Sequence, residues 1–230
     1  MPRILAIGDC NTLGTGDLTK NTYAERFARH LGAAITNLGT TMATTREGLR
    51  LLRDHLPGHD VVLIQFGLVD SWRTFRYAPY VLYYPDNFLR KVGRKLVKKY
   101  KSIARRLGLT EKLGLAHVVP PAEFEANLRQ MIEAVKPARV FLIEAAPHIE
   151  EARMPFLRQY NAVLAKLANA FEHAALVRCF DDLAANLPSH FADETHLNEA
   201  GFEIVTKALI AAHAKAGLAK TLSGEPAEDA

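Results

Sequence analysis

The sequence predicts an α/β fold: a three-layer α/β/α sandwich with a five-stranded parallel sheet, carrying one basic helical insertion. Three observations predict it. Short, continuously apolar runs alternate with longer amphipathic stretches, the pattern of strands covered on both faces and joined by right-handed helical crossovers. Glycine, aspartate and asparagine cluster directly after those runs, where a parallel sheet gathers its reactive loops. The 230 residues, 49% hydrophobic and 23% charged, suffice for one core and show neither repeat nor low-complexity linker. A single domain is expected over residues 1–220, with the insertion at about 73–117 and a loose polar tail over 221–230.

The elements follow in order. Arg3 to Ile7 is the first strand, closed by Gly8-Asp9. A polar loop is expected from Asn11 to Lys20. Asn21 or Thr22 then caps a helix to about Leu31, with Tyr23, Phe27 and Leu31 on one face. Ala33 to Asn37 is the second strand. Thr44 or Thr45 starts a helix with Leu49, Leu52 and Leu56 inward. Asp60 to Phe66 is the third strand, its Val61-Val62-Leu63-Ile64 run suited to a fully covered sheet. Pro120-Pro121 introduces a helix from Ala122 to about Val135. Arg139 to Glu144 is the fourth strand, Met154 to Phe171 a helix and Ala175 to Cys179 the fifth strand. Asn198 caps the last helix, to about Ala216.

Inside the insertion, Asp86 is expected to cap a helix to about Leu107. Leu89, Val92, Leu96, Tyr100, Ile103 and Leu107 recur at helical spacing and are expected to pack inward. The net charge of +4 is unevenly spread: Arg73 to His117 holds 12 Lys/Arg and 2 Asp/Glu, a local +10, and the remainder is −6. This segment, with Tyr77, Tyr80, Tyr83 and Tyr84 ahead of its helix, suits a solvated basic face. It also suits a lid meeting an anionic membrane or a lipid-linked glycan through Arg90 to Arg106. No nucleic-acid module accompanies it, so no nucleic acid is expected.

Other classes are excluded. No apolar run approaches the roughly 20 residues of a membrane-spanning helix, and Ile4 to Ile7 is too short for a secretion signal. The protein is expected in the cytoplasm, with the basic segment at the inner face of the membrane as its one route to a peripheral position. Cys10 and Cys179 are too few for a disulfide framework. No metal-ligand spacing and no Walker or dinucleotide fingerprint appears, so neither metal nor cofactor is expected.

Chemistry enters at two places. Asp193-Glu194-Thr195-His196 puts a carboxylate three residues before a histidine, close enough to accept the Nδ1 proton and leave Nε2 as a base. The nucleophile would come from the loop after the first strand. These segments resemble the SGNH (GDSL-like) hydrolase family. IGDCNTLG is similar to its first block, NLGTT to the second, FGLVDSW occupies the third, and DETHLNEAGF matches the last. The resemblance implies the flavodoxin-like SGNH hydrolase fold and an esterase or acyltransferase. It also implies a catalytic set of Cys10, Asp193 and His196 with an oxyanion hole from Cys10 and Gly39.

Two residues depart from the pattern. Cys10 stands where the family has serine, and Val69 where it has an oxyanion asparagine. A thiolate remains a competent nucleophile, but valine has no donor. Cys10 as active thiol, as a small buried residue in a domain that has lost its chemistry, and as an introduced replacement all stay open. Asp9, Asn11, Asp70 and His190 are candidate substrate-binding residues. The other histidines, His117 and His148 among them, are expected on the surface or in loops. The leading reading is ester chemistry on O-acyl groups of a carbohydrate in cell-surface polysaccharide biosynthesis. Beside it stand a weak or inactive glycan-binding scaffold and a thioesterase served by an acyl carrier.

Overall fold

Strand side chains alternate between two faces, so a sheet covered twice needs every position apolar. In the computed structural model, which describes residues 1–55, 58–76 and 78–222, β1 (Arg3–Gly8) meets that condition: Ile4, Leu5, Ala6 and Ile7 are all fully buried. It pairs in parallel with β2 (Ala34–Asn37) on one side and β3 (Val61–Gln65) on the other. β4 (Arg73–Phe75) and β5 (Leu115–His117) form a separate antiparallel pair. β6 (Arg139–Ile143) and β7 (Ala174–Val177) complete the five-stranded sheet, in the order β2-β1-β3-β6-β7.

The helices divide by face. Leu5, Ile7, Val62, Ile64, Val140 and Leu142 point to one core. It is covered by α3 (Thr45–His55), α6 (Pro121–Ala134) and α7 (Met154–Ala170). Ile4, Ala6, Val61, Leu63, Phe141 and Ile143 point to the other. There α2 (Tyr23–Leu31) and α10 (Glu199–Leu222) pack. Thr22 and Glu25 close a capping box on α2: Glu25 Oε2 accepts the Thr22 N–H at 3.0 Å.

Several expectations need correction. The loop expected from Asn11 to Lys20 begins as a short helix, α1 (Cys10–Leu13), because Asp9 caps it. In α3, Leu51 is buried beside Leu52 and Leu49 only partly so. α10 runs on to Leu222. Leu56, Tyr77 and the tail from residue 223 onward lie outside the described residues.

The insertion departs most. β4 and β5 clasp its base, Arg73 opposite His117, and it carries α4 (Phe88–Arg106) and α5 (Leu109–Leu113). The α4 cap is Asn87, whose Oδ1 accepts the Arg90 N–H at 2.9 Å. Asp86 instead pairs with Lys91 and Arg94. Most of the apolar stripe expected inward faces outward: Leu89, Leu96 and Leu107 are 79%, 63% and 62% exposed, while Val92 borders a cavity and the Tyr100 ring meets Phe75. The cause lies on the opposite face. Arg94 donates to Leu82 O at 3.1 Å and stacks 4.7 Å from the Tyr83 ring, while Arg90 donates to Tyr84 O. These bonds turn the cationic face toward the domain and leave the apolar one outside.

Candidate active site

Gly8 ends β1 where no side chain fits, since a Cβ would stand 2.0 Å from Thr12 Oγ1 and 2.6 Å from the Gln65 carbonyl oxygen. The chain turns directly into α1. Asp9 Oδ1 accepts the Asn11 N–H at 2.9 Å, so Cys10 becomes the first helical residue. Its side chain is 6% exposed and packs with Leu68, Ala145, Leu157 and Phe180.

Asn11 is the joint of the site. Its Nδ2 donates to Thr195 O at 3.0 Å, and its Oδ1 accepts the Leu197 N–H at 2.9 Å. Those two atoms flank His196, so the residue after the thiol grips the backbone on both sides of the imidazole.

The Asp193–His196 turn is held from within. Asp193 Oδ1 accepts the Thr195 and His196 N–H groups at 2.8 and 2.9 Å, and Oδ2 meets His196 Nδ1 at 2.6 Å. With Nδ1 committed to the carboxylate, Nε2 carries no hydrogen bond among the described residues. Burial works to raise the Asp193 carboxyl, but the bonds from the His196 ring and the two amides hold it well below the usual range.

The thiol is not a preformed thiolate. Burial first, and the Asp9 carboxyl second, push Cys10 far above the ordinary thiol range; the Cys10 and Asn11 amides oppose the shift, and Asp193 adds to it. Among the described residues no hydrogen bond joins Sγ to His196.

The structure thus brings Cys10, Asn11, Asp193 and His196 together, and the remaining candidates fall elsewhere. Asn11 commits one amide donor and one amide acceptor to backbone, which makes it first a tie between the two loops. Asp9 is buried in the cap, its carboxyl pushed up to about 7 by burial, against the Asn11 amide, with Asp70 adding to the rise. Asp70 is also buried. Its oxygens accept the Thr45 N–H at 2.9 Å, the Thr45 hydroxyl at 2.7 Å and the Gly67 N–H at 3.2 Å, so it braces α3 against the loop after β3. His190 bonds the Leu183 carbonyl through Nδ1 at 3.0 Å, which ties α9 (Leu187–His190) to α8 (Phe180–Ala184).

The oxyanion candidates divide too. The Gly39 N–H is captured by Asn37 Oδ1 at 2.8 Å, two residues back, rather than left free for a developing oxyanion. Its lack of a side chain answers to packing: a Cβ at Gly39 would stand 2.2 Å from Leu13 N. Val69 is buried and lines a cavity beneath α4.

Some supporting residues carry little sequence signal. Asn37 Nδ2 donates to Thr12 O at 2.8 Å and Glu25 Oε1 at 2.7 Å, locking β2, α1 and α2 beside the thiol. Thr12 Oγ1 shares a hydrogen bond with Tyr23 Oη at 2.8 Å and reaches Gln65 Oε1 at 3.3 Å. His148, expected in a surface or loop position, is in a loop but buried, with Nδ1 accepting the Glu150 N–H at 2.9 Å. Among the described residues no three His, Cys, Asp or Glu side chains converge on a metal position.

A model of the GDSL-like lipase/acylhydrolase family matches residues 6–204. Solved structures agree in fold. A member of the lipolytic G-D-S-L family from Veillonella parvula aligns with TM-score 0.65 at 12% identity, covering 94% of this chain and 100% of that one. A lipase/acylhydrolase from Enterococcus faecalis gives 0.63 at 19% identity, covering 94% and 96%. A catalytic mutant of an acetylxylan esterase from Geobacillus stearothermophilus gives 0.61 at 20% identity, covering 91% and 93%. No curated protein matches the chain.

Proposed function

The chain belongs to the GDSL-like lipase/acylhydrolase family, and from that premise we propose that it hydrolyses or transfers acyl esters through Cys10, His196 and Asp193. The observation that carries this reading is the Asn11 bridge to Thr195 and Leu197, which ties the thiol's loop to both sides of the imidazole. Among the structural neighbours, catalytic mutants of the acetylxylan esterase replace a serine, an aspartate and a histidine three positions after that aspartate. Asp193 and His196 have the same spacing.

Because burial keeps the thiol protonated, His196 must act as a true general base. Its Nε2 takes the proton as sulfur attacks the acyl carbonyl, and the imidazolium is stabilised by Asp193. The tetrahedral adduct collapses, and the leaving alkoxide takes the proton back from His196. The resulting thioester then passes its acyl group to water or an acceptor hydroxyl, which His196 deprotonates in turn. The Cys10 amide is the donor best sited for the oxyanion.

On substrate, we favour an O-acyl ester of a carbohydrate held at a membrane, as in cell-surface polysaccharide assembly. The likeness to an esterase titled for acetylxylan supports the sugar. The outward stripe of α4, flanked by exposed Lys99 and Arg106, supports the membrane, since such a helix lies in an anionic interface. In the described residues no helix is long and apolar enough to cross one.

Turnover of p-nitrophenyl acetate tests the chemistry. Cys10→Ala should lose roughly 10³-fold or more in kcat/KM, and the acylated wild type should carry one acyl mass on Cys10. Undiminished turnover in Cys10→Ala would sink the reading. A second reading, an inactive glycan-binding scaffold, draws on Val69 and the captured Gly39 amide. It predicts no turnover by wild type and retained glycan affinity.

A further inference from the structure

Between α4 and the domain lies a cavity of about 670 Å³, within the roughly 300–1,000 Å³ of ligand pockets. Its inner wall includes Met42, Val69 and Trp72, from the loops that leave β2 and β3; Val81 and Val97 close it from the insertion. Lys95, Lys98, Lys101 and Arg105 line its other side, along the face of α4 opposite the exposed stripe. A smaller cavity of about 280 Å³ adjoins it and shares Trp72, Lys101, Arg105 and Val118.

Two features set this chamber apart from a packing defect. Most of its cations lack counter-charge: Lys91 and Arg94, which also line it, pair with Asp86, but no acidic side chain is among its described lining residues, and Lys95, Lys98, Lys101 and Arg105 have no acidic partner within 4 Å among the described residues. Burial, then Arg105, lowers the Lys101 ammonium, the response of a cation confined with another cation. Trp72, which lines both cavities, has a buried indole N–H with no hydrogen-bond partner among the described residues. Burying an unmatched donor costs about 1–3 kcal/mol, a polar mismatch at the wall of the same space that an anionic ligand on the lysines would enter.

The cavity also adjoins the chemistry. Val69 follows Leu68, and Leu68 packs in the cluster that holds Cys10. An apolar chamber with a one-sided cationic wall selects a molecule of matching polarity. We propose that this chamber binds a single-chain lipid phosphate, the hydrocarbon against Met42, Val69, Val81 and Val97 and the phosphate on Lys98, Lys101 and Arg105. The inference names a ligand of the chamber beside the candidate active site and, for any catalytic meaning, rests on the ester-chemistry reading.

Trp72 is the only tryptophan of the chain, so its emission reports the chamber directly. Full-length protein is titrated with dodecyl phosphate below its micelle concentration, and in parallel with neutral dodecyl maltoside and with inorganic phosphate. Dodecyl phosphate should give a saturable shift, with both controls at least tenfold weaker. Lys98→Gln/Lys101→Gln/Arg105→Gln should weaken dodecyl phosphate tenfold or more, and Val97→Phe/Val118→Phe should do so by filling the space. Leu96→Ser/Ile103→Ser, on the outer stripe, should not. Equal affinity for the neutral amphiphile, an equal response to inorganic phosphate, or indifference to both sets of chamber variants overturns the proposal. Cys10→Ala should bind dodecyl phosphate as wild type does, so a failure of ester chemistry and a failure of lipid binding are read separately.

Discussion

Asp9 brings a carboxyl into a place 2% exposed, and the fold answers by holding its proton up to about 7 instead of 3.8. Between those values the native state keeps a proton that the unfolded chain has released, so the Asp9 contribution to stability is fullest below pH 4 and is lost as pH rises through 7. Asp70, also raised to about 7, acts in the same sense. Asp9→Asn keeps the cap acceptor and should remove roughly half of that pH-dependent loss, read from urea midpoints at pH 5 and pH 8. An equal loss in both proteins would refute it. The same substitution removes a charge that opposes the thiolate, so Cys10 alkylation by iodoacetamide should begin at lower pH. Asn11→Ala should cut kcat about 100-fold with circular dichroism unchanged, because it frees the His196 loop without touching the acyl group. Of this candidate site, the Asp193–His196 contact was legible in the sequence, since a carboxylate three residues before a histidine can turn back to its ring, and Cys10 was marked as its proposed partner by the loop after β1. The bridging duty of Asn11 was not, because its partners are backbone atoms more than 180 residues away. Gly39 was legible as a glycine with a purpose, but what it spares is a collision with Leu13.

Helix α4 teaches the corresponding lesson for elements. Its period of apolar residues is plain in the sequence, but a period reveals a face without saying what covers it. The direction is set by Arg90 and Arg94, whose bonds to the carbonyls of Tyr84 and Leu82 depend on the turn before the helix. Leu96→Ser/Ile103→Ser should therefore leave the melting temperature nearly unchanged and abolish pelleting with anionic vesicles. Equal pelleting of wild type with neutral and anionic vesicles would remove the membrane from the account. Attachment of the insertion runs through buried Glu47, which accepts the Thr44 and Tyr83 N–H groups at 2.9 and 2.8 Å and the Tyr80 hydroxyl at 3.1 Å. Glu47→Ala strands those donors and should cost about 1–3 kcal/mol for each left unmatched. Limited proteolysis should then cut within residues 78–106 first.

For the whole molecule, the five-stranded sheet was readable because parallel strands covered on both faces leave uninterrupted apolar runs. The β4–β5 ladder was not: Arg73-Thr-Phe and Leu115-Ala-His have no period, and only the return of the chain pairs them. The sheet's central residues should be its most costly to trim. Leu142→Ala, fully buried in β6, should lose about 2–5 kcal/mol in chemical unfolding, whereas Leu89→Ala on the outer stripe should lose almost nothing. The same architecture makes the candidate site an all-or-none feature. Asn11 and the backbone it grips are more than 180 residues apart in sequence, so the two loops meet only after the sheet between them has closed. On the proposed chemistry, partial unfolding that frees either loop should switch turnover off before the bulk of the helices melts, and activity should fade at a lower urea concentration than the circular dichroism signal.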